Sequence, residues 1–198
     1  MWDGAWKHVC LSDSPIPETP PWEIRLVTPK SDDTRREARR LKVLSHRYFP
    51  KAEYILFHDG NIRFNMDRPL RWLKQHDMAL CAHPERDCIY EEAEICIKSR
   101  KDNEGIIRAQ MARYKEGGYP ENAGLVATTV LLRRHTEAVR RFNERWWEEI
   151  SKGSVRDQLS FNYVCREFGM GYDIIPGHVF HNQRFEYFFP HGQDGRKL

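Results

Sequence analysis

The chemistry in this chain concentrates first in His58-Asp59-Gly60-Asn61, which follows the apolar run Tyr54-Ile55-Leu56-Phe57. Such a run predicts a buried strand. An acid at its end is placed to hold a cation. Oxygen-bearing side chains at i and i+2 reach one ion from a tight turn, and Gly60 lets the backbone bend. Hard divalent ions such as Mn2+ or Mg2+ favour oxygen ligands and leave positions for phosphate oxygens. The same residues also suit a type I′ turn, because Asp-Gly and Gly-Asn are turn dipeptides. Spacing alone leaves both readings open.

A second polar cluster is Arg156-Asp157-Gln158, just after Ser154. Serine can cap a helix and an acid in the first turn suits the dipole, so this is either a helix start or a site. His83-Pro84-Glu85-Arg86 follows another predicted strand, and Tyr90-Glu91-Glu92 opens a helix. His178 and His181 lie beyond the last predicted strand, and a histidine beside a metal site is a good ligand. Arg35, Arg36, Arg39, Arg40 and Lys42 crowd one segment. Such a run forms either a solvated helix face or an anion site. The chain has no phosphate-binding Gly-rich loop, no nucleophile elbow and no paired-histidine zinc motif.

The elements that must position these residues read as alternating strands and helices. Strands are predicted at 7–12, 23–27, 54–57, 78–82, 125–132 and 172–175. Helices are predicted at 34–45, 70–75, 89–98, 106–114, 136–150 and 155–168. This alternation predicts an α/β fold around a mostly parallel central sheet flanked by helices. Ligands of such sheets bind beyond the carboxyl ends of the strands. Residues 1–175 are expected to form one domain. Residues 176–198 form an aromatic, His-rich tail packing on it, because Phe180, Phe185, Tyr187, Phe188 and Phe189 are too many aromatics for a solvated segment.

The 198 residues carry a formal charge of +3, too little to argue for nucleic acid. The five cysteines, Cys10, Cys81, Cys88, Cys96 and Cys165, match no zinc ribbon or redox motif. They read as reduced, buried thiols. With no signal peptide and no apolar span, a cytoplasmic location is expected.

Several of these pieces, taken in order, resemble one family. They are Arg39-x-x-Lys42-x-x-x-His46-x-Tyr48-Phe49-Pro50, Tyr54 to Ile62, and His83-Pro84-x-Arg86-x-Cys88-Ile89-Tyr90-Glu91-Glu92-Ala93. Gln110, Tyr114, Gly118-Tyr119-Pro120, Arg133-Arg134-His135, Trp146-Trp147-x-Glu149 and Arg156 to Phe161 continue the match. The pattern is similar to the glycosyltransferase domain of plant TOD/MUCI-type probable hexosyltransferases and their bacterial relatives.

The resemblance implies a Rossmann-like GT-A fold and sugar transfer from a nucleotide-sugar donor to a glycan or other hydroxyl acceptor, with a divalent metal. It implies Asp59 and Asn61 as metal ligands, with His178 or His181 completing the set. It makes Asp157 and Gln158 catalytic, similar to the Asp-Gln pair of glycogenin-like retaining transferases. Arg39, Lys42, His46, Asp59, Gly60, Asn61, Arg86, Glu91, Glu92 and Arg156 become donor-binding residues. The chain departs from the pattern in having Asn61 for the second acid, and in starting after the first family strand, which normally helps bind the base.

Residue type does not choose between inversion and retention; the glycogenin-like pair points to retention. Two other readings stand beside transfer. One is a metal-dependent phosphoesterase or nuclease using Asp59 with the basic helix. The other is a non-catalytic nucleotide-sugar-binding module. A nucleic-acid acceptor stays open but has no support in the sequence.

Overall fold

The computed structural model describes residues 6–64, 68–180 and 185–187. Six helices and eight strands are found among them. The chain opens with β1 (His8–Ser12) and β2 (Trp22–Leu26), which pair parallel in a two-stranded sheet. Helices α1 (Thr34–Val43) and α2 (Ser45–Tyr48) follow. Next come β3 (Tyr54–His58), β4 (Ile62–Phe64), a 3-10 turn over Pro69–Trp72 and β5 (Met78–Ala82). The second half holds α3 (Ile89–Lys98), α4 (Glu104–Glu116), β6 (Val126–Arg134), α5 (Glu137–Lys152), α6 (Gln158–Phe168), β7 (Asp173–Ile174) and β8 (Phe185–Tyr187).

The central sheet has the order β3-β6-β5-β7 and corrects the expectation of a mostly parallel one. Strand β6 runs antiparallel to both β3 and β5, and only β5 and β7 pair parallel. Thus β3, β5 and β7 run one way and β6 the other, and the sheet is mixed. The alternation of strands and helices does not show that β6 reverses, and its nearly continuous burial hides the direction. Burial on two faces dictates an apolar run whatever the strand direction.

Alternation along the strands assigns the faces. Met78, Leu80 and Leu131 join Val43, Leu44, Phe142, Trp146, Phe161 and Val164 in one cluster, on the face covered by α1, α5 and α6. Ala79, Cys81, Val130 and Leu132 turn the other way, onto Ile62, Trp72, Ile175 and Val179. A third cluster joins α3 and α4 to the start of α6 through Ile89, Ile107, Tyr114 and Leu159.

The basic segment is not a uniform solvated face. Several of its cations hold the fold: Arg35 donates to the Lys101 carbonyl, and Arg36 to the carbonyls of Ile150 and Gly153. Arg40 pairs with Glu37 at 2.6 Å, and Lys42 is 2% exposed. Asp33 caps α1 by accepting from the Arg36 amide.

The tail contributes β8, which pairs antiparallel with β4, Arg63 opposite Glu186. Its last strand therefore lies beside the segment that follows the Asp59 turn. His181, Phe188 and Phe189 lie outside the described residues. None of the described helices is long and apolar enough to cross a membrane.

Candidate active site

Three distant segments meet at one buried ion pair. Lys42, in the last turn of α1, places its Nζ 2.6 Å from Oδ2 of Asp157, just before α6. The two side chains are 2% and 3% exposed. Arg39, one turn earlier, reaches Oδ1 of the same carboxylate at 3.4 Å. The Lys42 ammonium also lies over the Phe57 ring, 5.1 Å from its centroid. Asp59 completes the group, since its charge acts on both Lys42 and Asp157.

The electrostatics follow from burial and these pairings. Burial pulls the Lys42 ammonium down from the ordinary lysine range, against the pull of Asp157 and Asp59. Burial works to raise the Asp157 carboxyl, but Lys42 and Arg39 overcome it and hold that group well below the usual carboxylate range. Asp59 goes the other way: burial and the neighbouring Asp157 raise it, only partly offset by Lys42 and Arg39. The two acids are thus shifted in opposite directions, Asp157 down and Asp59 up.

Asp157 is not a capping acid. It occupies the N-cap position of α6, yet its side chain makes no capping bond and turns to Lys42 instead. The loop presenting it is pinned from several sides. Asp102 Oδ2 accepts from Ser154 Oγ at 2.6 Å and from the Val155 amide at 2.8 Å. Gln110 accepts from the Ser154 amide at 2.8 Å, and Trp146 donates to the Asp157 carbonyl at 3.2 Å. Gln158 accepts from Arg156 at 3.1 Å.

The Asp59 turn is closed by the Ile62 amide donating to the Asp59 carbonyl at 3.0 Å, and is anchored by the Asp59 amide on Thr129. Neither Gly60 nor Asn61 has a positive φ, so the turn is not of type I′. A Cβ added to Gly60 would meet no protein atom within 4 Å. The backbone at Gly60 therefore faces open space, which a ligand can approach closely.

Other expected residues gather in a second cluster at the end of β5. Arg86 donates to Glu92 at 2.8 Å, and His83 Nε2 lies 3.5 Å from the same oxygen. His83 Nδ1 accepts the Arg86 amide at 3.1 Å, so its proton sits on Nε2. Glu92 is 2% exposed and serves to hold Arg86, while Glu91 is exposed. Arg156 links the clusters, its charge acting on both Asp157 and Cys96, which itself donates to Glu92.

His46 is not part of this gathering. Its Nε2 lies 2.8 Å from Glu144 and its Nδ1 faces Asn143, both on α5. His178 lies between β7 and β8, its Nδ1 accepting from the Phe180 amide at 3.2 Å. Among the described residues no group of three or more His, Cys, Asp or Glu side chains is gathered to hold a metal. Asp59 and Asn61 carry side-chain oxygens of the kind a hard divalent ion takes. All five cysteines are free, and burial raises the Cys81, Cys96 and Cys165 thiols.

Sequence reading missed the supports. In the sequence Asp102 is only a residue between two predicted helices, and Arg36 only one of a charge run. Arg133 carried a readable signal: a strong cation inside the longest β-branched strand of the chain.

The mixed α/β fold thus gathers a lysine, two acids and two arginines near the end of β3. The model of the TOD1/MUCI70 glycosyltransferase-like domain family matches residues 20–191, and the chain belongs to that family. It is 31% identical over 174 residues to the Arabidopsis thaliana protein named "Probable hexosyltransferase MUCI70", covering 81% of this chain and 27% of that protein. It is 29% identical over 138 residues to the Arabidopsis thaliana protein named "Alkaline ceramidase TOD1", covering 62% of this chain and 30% of that protein. The chain thus spans less than a third of the length of either relative.

Proposed function

We propose that this chain transfers a sugar from a nucleotide-sugar donor to a hydroxyl acceptor, with a divalent ion, Mn2+ or Mg2+, at Asp59 and Asn61. The observation that carries the reading is the convergence of Lys42, Asp59 and Asp157, from three separate segments of the region matched by the glycosyltransferase-like family, on one buried charge cluster. When bound, the ion supplies Lewis-acid neutralisation of charge developing on the leaving diphosphate.

The chain's own residues do the rest. Asp59 and Asn61 anchor the donor end, and the bare backbone at Gly60 lets the diphosphate approach. Lys42 and Arg39 add fixed positive charge in a site with little water, where it acts strongly. Asp157 is committed to those two cations, so it positions them and favours the ammonium form of the lysine. Gln158 and Arg156, both partly exposed, reach the donor sugar or the acceptor. Arg86, held by Glu92 at 2.8 Å, is kept for a polar group of the donor or the acceptor. The cluster is equally compatible with inversion and retention.

The test is release of nucleoside diphosphate from a panel of nucleotide sugars, with Mn2+ or with chelator, beside Asp59→Ala. Metal-dependent release with the native chain and its loss in D59A are expected. Release from no donor, together with cleavage of phosphodiesters, would favour the phosphoesterase reading. Binding without turnover would leave a non-catalytic module. Cleavage of a ceramide in a parallel arm would favour the activity named for the second relative.

A further inference from the structure

Arg133 is fully buried, and among the described residues it forms no ion pair. It lies on β6, two residues from Leu131 and hence on the face of the sheet that meets the helices. Its guanidinium is spread over three elements. Nη2 donates to the Lys42 carbonyl at 2.8 Å and to Ser45 Oγ at 2.6 Å. Nη1 donates to the Val43 carbonyl at 2.9 Å and to Asn143 Oδ1 at 2.8 Å.

Those two carbonyls end α1, where backbone acceptors have no helical partner. Arg133 satisfies them and places a positive charge at the negative end of the helix dipole. Burying a cation without a carboxylate is costly. Its burial lowers this group to about 9, so the position has a strong physical reason to be apolar. An aliphatic residue would pack the same face of β6. What it could not do is hold the last turn of α1, and that turn carries Lys42.

We propose that Arg133 is the positioning residue for Lys42: its fork clamps the Lys42 and Val43 carbonyls and thereby fixes where the Lys42 ammonium meets Asp157. The catalytic consequence rests on the transferase reading; the clamp does not. A flexible four-carbon stem has many rotamers, and its end is only as well placed as its backbone. A lysine at 133 has one ammonium in place of a planar fork and cannot bridge both carbonyls, Ser45 and Asn143 together.

The experiment is site-resolved acylation of lysines with limiting acetyl N-hydroxysuccinimide ester, read by mass spectrometry, in the native chain, Arg133→Lys and Arg133→Met. Ile107→Ala is the stability control, since it lies in the cluster under α4 that includes neither Lys42 nor Arg133. In the native chain Lys42 is protected. Loosening the last turn of α1 is expected to speed its labelling about tenfold over I107A in both Arg133 variants. Labelling of Lys42 equal to that in I107A would overturn the clamp. If R133M does not fold, R133K alone decides. Nucleoside diphosphate release is measured on the same samples. A freed Lys42 with undiminished release would refute the role of Lys42 in transfer while leaving the clamp standing.

Discussion

Asp157→Asn gives the sharpest test of the buried cluster. The substitution keeps shape and removes charge. It leaves the Lys42 ammonium 2% exposed and without its 2.6 Å partner. Exposed ion pairs contribute about 0–1 kcal/mol. Breaking a buried pair by removing one partner costs about 3–5 kcal/mol, because the other charge stays desolvated. Arg39 turns partly to solvent, and Asp59 retains some pull on Lys42, so the low end, about 3 kcal/mol, is expected. Against a total of about 5–15 kcal/mol the variant still folds. Denaturant unfolding at pH 7 reads the loss. The pH course gives an independent check. Burial lowers Lys42 in the native chain, and losing Asp157 lowers it further. Between its folded pKa and that of a free lysine, about 10.4, the unfolded chain binds more protons, so stability rises with pH. The deficit of D157N therefore shrinks as pH rises toward 10. In K42M/D157N, where both charges are gone, most of the loss is recovered. A cost below about 1 kcal/mol that does not change with pH would refute the desolvated pair and the electrostatic role built on it.

Two further predictions follow from the same structure. His135 is 8% exposed and is lowered to about 4, by burial first and then by Arg133, His46 and Arg140. Its folded pKa lies below the unfolded value, so its contribution is complete above about 6.5 and is lost as pH falls toward 4, to a limit of about 3 kcal/mol. His46, His58 and His83 are lowered too, so the difference between native chain and His135→Phe is the measure. Unfolding curves of the two that lose stability equally between pH 7 and 4.5 would exclude it. Gly60→Ala adds a Cβ into open space at a residue without positive φ. Folding stability should stay level or rise by up to about 1 kcal/mol, while Mn2+-dependent binding of a nucleotide sugar weakens. Unchanged affinity in calorimetry would show that no ligand approaches that backbone.

The sequence by itself determined most elements and the residues worth attention. The expected 78–82 strand and 89–98 helix coincide with β5 and α3, because apolar period and capping are local properties. The motifs around Asp59 and Asp157 identified the family, which the matched region supports over residues 20–191. Tertiary structure decided the rest. The direction of β6 was not legible, since a strand buried on both faces is apolar whichever way it runs. The Lys42–Asp157 pair joins residues far apart in sequence, and nothing near Asp157 distinguishes an ion-paired acid from a helix cap. The same holds for Arg133, whose four acceptors lie on α1, α2 and α5, and for β8, which finds its partner at β4. Local pattern records burial and periodicity; strand direction and the partner of a buried charge are fixed only when distant segments pack, where leaving a polar group unsatisfied is most costly.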